Sequence, residues 1–284
     1  MDENKKAAQK KKISHFITMA VLVILFLAFI FPFIMVIFNA FKTKGDITAD
    51  PLALVGSHGF ILTNFTDAMK KMNFATSFTN SLLITTVSTI LTIMLSAMTA
   101  FVIVRNKWKA CGILFSLMIA SMVIPFQVLM IPLVSLYGGI FGVLNSRITL
   151  ILMHVGFSLS MATFMFHGAI HTSVPMELEE AAFIDGCTKT QATLNVTIPL
   201  MRSSFVQCLF LTITRCFMVY DVNLSLTKGE PFNSSVMAAM HVYNQAFSYK
   251  NYGTGQAEAL VLFVVCAIVG VTQVYIGKKG EVAA

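Results

Sequence analysis

The stretch Glu177–Pro199 reads Glu-Leu-Glu-Glu-Ala-Ala-Phe-Ile-Asp-Gly-Cys-Thr-Lys-Thr-Gln-Ala-Thr-Leu-Asn-Val-Thr-Ile-Pro, a long polar interruption in the second half of an apolar sequence. Its three glutamates would lie in the first turns of a helix, where the macrodipole favours negative charge. Gly186 is expected to end that helix, because glycine adopts the left-handed C′ conformation without steric cost. Thr188 followed by Gln191 is a capping box and predicts a second helix. We therefore predict two short helices joined by a tight turn, which is a docking element and not a catalytic one.

The flanks of this stretch support the same interpretation. Ser173 and Pro175 are start signals for the first helix. A carboxylate is disfavoured at a helix C-terminus, so we expect Asp185 to accept hydrogen bonds from the free N–H groups of the second helix. Residues 173–199 are thus predicted to form an acid-tipped surface helix that lies between membrane spans and faces the cytoplasm.

The composition places the chain in a membrane. Of its 284 residues, 56% are hydrophobic and 12% are charged, and the mean hydropathy is +0.78. Soluble domains have about 45–50% apolar and about 25% charged residues. The length allows about six spans of roughly 20 residues each. Much of the net charge of +7 lies in the first twelve residues, which hold five lysines, so it indicates topology and lipid contact and not nucleic-acid binding.

Hydropathy and the positive-inside rule predict an all-α integral membrane protein with both termini in the cytoplasm. A basic tail, 1–12, is expected without regular structure, and a second short tail follows at 278–284. The transmembrane domain is predicted at 13–277. Its six spans are expected at about 13–41, 80–104, 111 onward, 148–169, 198–220 and 259–277.

Three features of the spans leave alternatives open. Pro125 and Pro132 are expected to kink or break the third span, either to line a cavity or as a kink packed against protein. Arg215 lies near the outer end of the weakest span, either at the interface, where it can snorkel, or facing a pore. His154 has no acidic partner in its span, which favours a helix–helix hydrogen bond over a proton relay.

Two longer segments between the spans are predicted to be external. Residues 42–71 are expected to form an irregular cap. Residues 221–258 are rich in Asn, Ser, Thr, Gly and Tyr, which suits sugar binding but also an ordinary solvated loop. Polar side chains beside breaks in apolar spans make Gln127, Tyr220 and Asn223 candidates for the path of a sugar.

Several motifs resemble the permease subunits of bacterial ABC importers. Glu180-Ala181-Ala182, then Asp185-Gly186 and Ile198-Pro199, resemble the EAA loop of that family. Other stretches are similar to its carbohydrate branch of maltose- and raffinose-type permeases: Asn80–Leu82, Ile124–Pro132 and Asn223–Thr227. The resemblance implies the type I permease fold, with 173–199 as the coupling loop that binds an ATPase. The residues expected to couple are Glu180, Ala181, Ala182, Asp185, Gly186 and Pro199.

The resemblance also implies the partners. They are a second homologous permease, a dimer of ATP-binding subunits, and an extracytoplasmic sugar-binding protein, all at a bacterial cell membrane. The sequence has no Gly-x-x-x-x-Gly-Lys-[Ser/Thr] loop, so ATP is expected on the ATPase and this chain is expected to be neither an enzyme nor a cofactor or metal carrier. Residues up to about 199 are similar to one of the two paired permeases, and those from about 205 to the other.

Two other functions remain possible at this point. One is the same permease fold carrying a non-sugar solute, such as a polyamine or amino acid. A self-sufficient secondary transporter is the rival class, but it usually shows intramembrane acidic residues or inverted repeats, and neither is evident here.

Overall fold

The structure, a computed structural model, describes residues 2–70, 73–230 and 234–281. Helices account for most of these residues, and no β-strand is found in the ranges described. The side chains of 2–9 and 278–281 lie outside the described set, so most of the two predicted tails cannot be compared with it.

The first half of the chain contains long helices separated by short ones. Its helices are α1 (Asp2–Ala40), α2 (Lys44–Ala49), α3 (Thr63–Lys70), α4 (Phe74–Arg105), α5 (Lys109–Val123), α6 (Phe126–Val134) and α7 (Arg147–Ser173). A π-helical turn, Ser135–Ile140, extends α6.

The second half is more finely divided. Its helices are α8 (Met176–Ile184), α9 (Lys189–Ala192), α10 (Ile198–Leu200), α11 (Arg202–Met218), α12 (Asp221–Leu226), α13 (Ala238–Tyr243) and α14 (Tyr252–Glu281). Two further π-helical turns, Thr193–Thr197 and Asn244–Ser248, follow α9 and α13.

The predicted spans are present as helices. Among the residues that the structure describes, four stretches are long and apolar enough to cross a membrane: Lys10–Ala40, Phe74–Arg105, Arg147–Ser173 and Tyr252–Gly277. Two bent helix pairs bring the total to six if each pair is one span. The structure thus confirms the predicted all-α membrane architecture, with six spans when each bent pair is counted as one.

Two boundaries differ from the sequence-based expectation. Helix α1 begins at Asp2, so the expected irregular tail is wrong for the described backbone; Ala, Lys and Gln there are good helix formers. Helix α14 begins at Tyr252 and not near Ala259, and Glu258, which the sequence placed outside the span, lies fully buried within the helix.

The third span is broken at one of its two prolines. Ile124 has an extended backbone, Pro125 caps α6, and α5 and α6–π meet at 99°. A proline disfavours the helical conformation of the residue before it, which explains the break. Pro132, however, lies inside α6 without breaking it, so that part of the prediction is wrong. The second bent pair, Lys189–Leu200 with α11, turns by 67° near Met201.

The chain forms two compact units, Met1–Met72 with Gln245–Leu260, and Asn73–Asn244 with Val261–Ala284. In the first, Asn64 Nδ2 donates to the carbonyls of Ala40 and Lys42, both at 2.8 Å. A Cβ on Gly253 would lie 2.9 Å from the Lys42 carbonyl and 2.7 Å from Asn64 Nδ2, so only glycine permits this approach. The segment predicted as an irregular cap is therefore ordered by specific hydrogen bonds.

Asp46 holds a turn within the same unit. Its carboxylate accepts hydrogen bonds from the hydroxyls of Ser57 (2.5 Å) and Thr43 (2.7 Å) and from the Ser57 N–H (3.1 Å). Because these bonds favour the charged form, they lower the pKa of Asp46 from 3.8 to about 2.

The second unit is built on the contact between α4 and α7, its most extensive helix pair. Buried small residues at helical spacing line one face of α4: Ser81, Thr85, Ser88, Thr92 and Ser96. The Ser88 hydroxyl lies 3.5 Å from the carbonyl of Ile151 on α7. Small side chains let membrane helices approach closely, and this stripe explains the pairing.

Apolar clusters cover both ends of this helix pair. Ile84, Leu150 and Met153 pack with residues of α12, while Ala100, Phe166 and Ile170 pack near the opposite end. Near the first end, Arg147 Nη2 donates to Asn80 Oδ1 at 3.2 Å, and Asn80 Nδ2 donates to the Val236 carbonyl at 3.1 Å. The α4–α7 pair is thus tied to the 221–243 region by polar contacts.

Candidate functional site

Helix α8 begins and ends as the sequence predicts. Pro175 is its N-cap, and its first turn carries Glu177 and Glu179. Gly186 has a φ of +89°, which a side chain with a Cβ rarely adopts. The Gly186 N–H donates to the Phe183 carbonyl (3.0 Å) and the Cys187 N–H to the Ala182 carbonyl (2.9 Å). These two bonds form a Schellman motif, so the chain turns sharply at a place set by local residues.

The second helix of the loop is capped by its own residues. Gln191 N–H donates to Thr188 Oγ1 (3.3 Å), and Thr188 N–H donates to Gln191 Oε1 (2.8 Å). The capping box is confirmed. Asp185, in contrast, makes no side-chain hydrogen bond to any described residue, because Thr188 already takes the N–H group that Asp185 was expected to cap. The predicted role of Asp185 in fixing the turn is wrong, and its carboxylate is exposed.

A buried ion pair anchors α8, and the sequence analysis missed it. Arg105, the last residue of α4, donates from Nη2 to Glu179 Oε1 at 2.7 Å and from Nε to Oε2 at 3.1 Å. Their side chains are 13% and 10% exposed. Arg105 also donates to the Val174 carbonyl at 2.9 Å, and Thr197 donates its hydroxyl to Glu179 at 2.9 Å. We call these four residues the Arg105 clamp; it joins α4, the start of α8 and the π-helical turn.

The clamp determines which face of α8 is free. Of the predicted coupling residues, Ala182 is buried, and the other five are exposed: Glu180, Ala181, Asp185, Gly186 and Pro199. Ile184 is 86% exposed and Phe183 is 43% exposed beside them. Since exposed apolar side chains rimmed by charge mark interaction sites, this face of α8 is suited to contact another protein.

A cavity of about 1060 Å³ lies elsewhere in the same unit. Helices α5, α6, α7 and α11 and the connection before α7 line it, largely with apolar side chains. Its polar lining includes Ser121, Tyr137, Ser146, Thr149, Ser160 and Arg215. The residues on either side of Pro125, Ile124 and Phe126, line this cavity, so the break borders it, and Arg215 lies on the same wall.

The three residues predicted to lie on the sugar path have different surroundings in the structure. Gln127 Nε2 lies 3.5 Å from Asp221 Oδ2, and Tyr220, the residue before Asp221, stacks its ring on Tyr243 at 4.7 Å. Asn223 is fully buried, and its amide bonds Thr227, the Ser235 carbonyl and the Met237 N–H. In this conformation Asn223 holds a loop together and is not open to a solute.

His154 is buried on α7, but the expected helix–helix hydrogen bond is not observed. Its Nε2 has no hydrogen-bond partner within 2–70, 73–230 and 234–281. The same ranges contain no group of His, Cys, Asp and Glu side chains placed to hold a metal ion.

Comparisons with a family model and with known relatives point to the same protein family. Residues 92–280 match the model of the family described as "Binding-protein-dependent transport system inner membrane component". Two relatives are described as probable starch degradation products transport system permease proteins of Thermoanaerobacterium thermosulfurigenes. AmyC is 34% identical over 67% of this chain and 68% of its own, and AmyD is 41% identical over 39% and 38%.

The fold is shared with a solved importer. A chain from a bacterial alginate ABC transporter, crystallised with an alginate-pentasaccharide-bound periplasmic protein, superposes with a TM-score of 0.77. The match covers 95% of this chain and 96% of that one at 14% identity, which shows a common architecture. The chain belongs to the family of binding-protein-dependent transport system inner-membrane components and is a multi-pass permease subunit of an importer in the cell membrane.

Proposed function

We propose that this permease forms half of the translocation pore of an ATP-driven sugar importer and couples to a separate ATPase through the 173–199 loop. The observation that carries the proposal is the exposed face of α8, held at a fixed angle by the Schellman turn and the Arg105 clamp. The termini and α8 would then lie on the cytoplasmic side, where the ATPase is.

The chemistry of the exposed α8 face suits a protein cleft. Ile184 and Phe183 offer apolar area that a partner can bury, and Glu180 and Asp185 add negative charge at either side. Exposed charges contribute little to affinity but orient an encounter, whereas buried apolar anchors contribute most of the binding energy. ATP would be bound by the partner, and no cofactor is proposed for this chain.

The clamp gives this face a connection into the membrane. Because Arg105 ends α4 and Glu179 begins α8, a displacement of α8 acts on α4 through two short charge-assisted hydrogen bonds. Thr197 extends the contact to the segment that leads into α11. Without these bonds, a movement of the coupling loop would no longer act directly on α4.

The proposed solute is a carbohydrate. AmyC and AmyD are described as probable permease proteins of a transport system for starch degradation products. Membership of a binding-protein-dependent family does not fit the alternative of a self-sufficient secondary transporter. If an uptake screen showed that the transporter carries no saccharide, the alternative of a non-sugar solute would be correct.

The proposed partners are a second permease, an ATPase dimer and an extracytoplasmic binding protein. AmyC and AmyD carry the name of one transport system, and this chain is similar to parts of both. Because the likeness is divided between AmyC and AmyD, it does not assign this chain to one member of the pair. The partner permease is therefore to be identified by purification.

The test is purification of the tagged protein from its native membrane in mild detergent, followed by an ATPase assay and by sugar uptake in proteoliposomes. We expect a second permease and an ATPase to be recovered. Ile184→Ser with Glu180→Ala should abolish recovery of the ATPase while the two permeases stay together. Lys107→Ala, an exposed charge outside the loop, is the matched control.

Two results would contradict the proposal. One is a protein that is purified alone and transports without ATP. The other is full ATPase recovery and uptake with the double α8 variant, which would assign the docking surface to another part of the chain.

A further inference from the structure

A single cation faces the cavity between α5, α6, α7 and α11. Arg215 is exposed there, and no Asp or Glu is found among the cavity's described lining residues. Within the described ranges its guanidinium makes no ion pair and no hydrogen bond. A guanidinium that lines a cavity of a membrane protein and has no internal partner is suited to bind an anion from outside the chain.

Arg215 lies in the last turn of α11, beside the first half of α7. It interacts electrostatically with His154, and its neighbour Cys216 bonds to Ser158; both partners are on α7. Because Arg215 also lines the cavity, a solute in the cavity can reach the guanidinium.

Two features of the otherwise largely apolar wall suit a saccharide. Ser121 and Ser160 place their hydroxyls 2.9 Å apart, and both line the cavity. The aromatic rings of Phe126 and Phe157 meet edge to face at 5.3 Å beside them. Hydroxyl groups suit the polar edges of a sugar ring and aromatic rings suit its apolar faces, while a guanidinium binds a carboxylate through two parallel hydrogen bonds.

We propose that this cavity binds a saccharide bearing a carboxylate, such as a uronate, and that Arg215 is the residue that selects it over a neutral saccharide. The inference rests on the proposed sugar importer and adds the class of sugar. In this proposal the permease cavity itself selects acidic over neutral saccharides, in addition to any selection by the binding protein.

The experiment uses the whole transporter in phosphatidylcholine nanodiscs without the binding protein. Equilibrium binding of two probes is measured, trigalacturonate and the neutral maltotriose. Arg215→Gln is compared with Arg215→Lys and with Arg202→Gln, which removes the same charge from the other end of α11. ATPase activity stimulated by the binding protein is recorded for every variant and reports the importer function separately.

Arg215→Gln should weaken trigalacturonate binding about tenfold or more, the effect of losing a charge-assisted hydrogen bond, and leave maltotriose binding within about twofold. Arg215→Lys should retain most of the preference, and Arg202→Gln should retain all of it. Equal loss for both probes, or no loss, would overturn the inference. So would release of the second permease by Arg215→Gln, since Arg215 would then pair with that subunit. A wild-type transporter that is ATPase-active but prefers maltotriose would refute the acidic solute and leave the importer standing.

Discussion

The Arg105 clamp gives a quantitative prediction. Removing one partner of a buried, hydrogen-bonded ion pair costs about 3–5 kcal/mol, because the other charge is left unpaired. The two side chains here are 13% and 10% exposed, and Arg105 keeps its bond to the Val174 carbonyl, so we expect the lower value, about 3 kcal/mol, for Arg105→Ala or Glu179→Ala. The double variant should cost less than the sum, with a coupling of about 2 kcal/mol.

The assay is thermal unfolding of the purified complex, analysed as a double-mutant cycle. If the conversion for 150–250-residue domains applies, each single variant should lower Tm by about 6–12 °C. Glu177→Ala and Lys107→Ala, which change exposed charges on the same helix and the neighbouring loop, should stay within about 0.5 kcal/mol. The ratio of sugar imported to ATP hydrolysed should fall in the single variants, because α8 then moves without α4.

Two outcomes would refute this reasoning. Strictly additive effects would show that the ion pair contributes no coupling energy. A coupling of about 2 kcal/mol with an unchanged ratio of uptake to ATP hydrolysis would confirm the bond and refute its role in transmission.

Three further predictions concern single positions. Gly186→Val should destabilise the loop by about 1–2 kcal/mol through backbone conformation alone, since nothing lies within 4 Å of its Cβ, and should lower ATPase recovery. Gly253→Ala should lower the Tm by overpacking, at about 1–3 kcal/mol, whereas Gly112→Ala, which has open space, should not. For Asp46 the folded pKa of about 2 is below the ordinary 3.8, chiefly because of the Ser57 hydroxyl. Its stabilisation is therefore present above pH 3.8 and lost as pH falls through about 2, so the Tm difference between wild type and Asp46→Asn should shrink over that interval.

The features that could be predicted from the sequence are local. Gly186 and the Thr188–Gln191 pair determine their backbone through neighbours a few residues away, and both behave as expected. Pro125 likewise acts on the residue before it. Turns and helix caps can be predicted from a few consecutive residues, because the groups that form their hydrogen bonds belong to residues close in sequence.

The features that could not be predicted depend on distant contacts. Arg105 and Glu179 are 74 residues apart, and each alone resembles an ordinary charge at a membrane boundary. Asn223 was expected to face a solute, but residues twelve and fourteen positions later close over it. Glu258 lies inside α14 and is fully buried, and hydropathy alone does not show that a charged residue is shielded by distant parts of the chain.

The small-residue face of α4 has a mechanical consequence. With α7 packed closely along it, α4 resists bending and acts as a lever with a polar bond near each end, at Asn80 and at Arg105. These residues are about 37 Å apart along the axis at 1.5 Å per residue. Tilting the lever by about 5° around its midpoint would move each end by about 1.6 Å, a shift of the size that separates functional states in other proteins. A push at α8 would thus reach the far side of the bilayer as a displacement of Arg147 and the 234–236 segment.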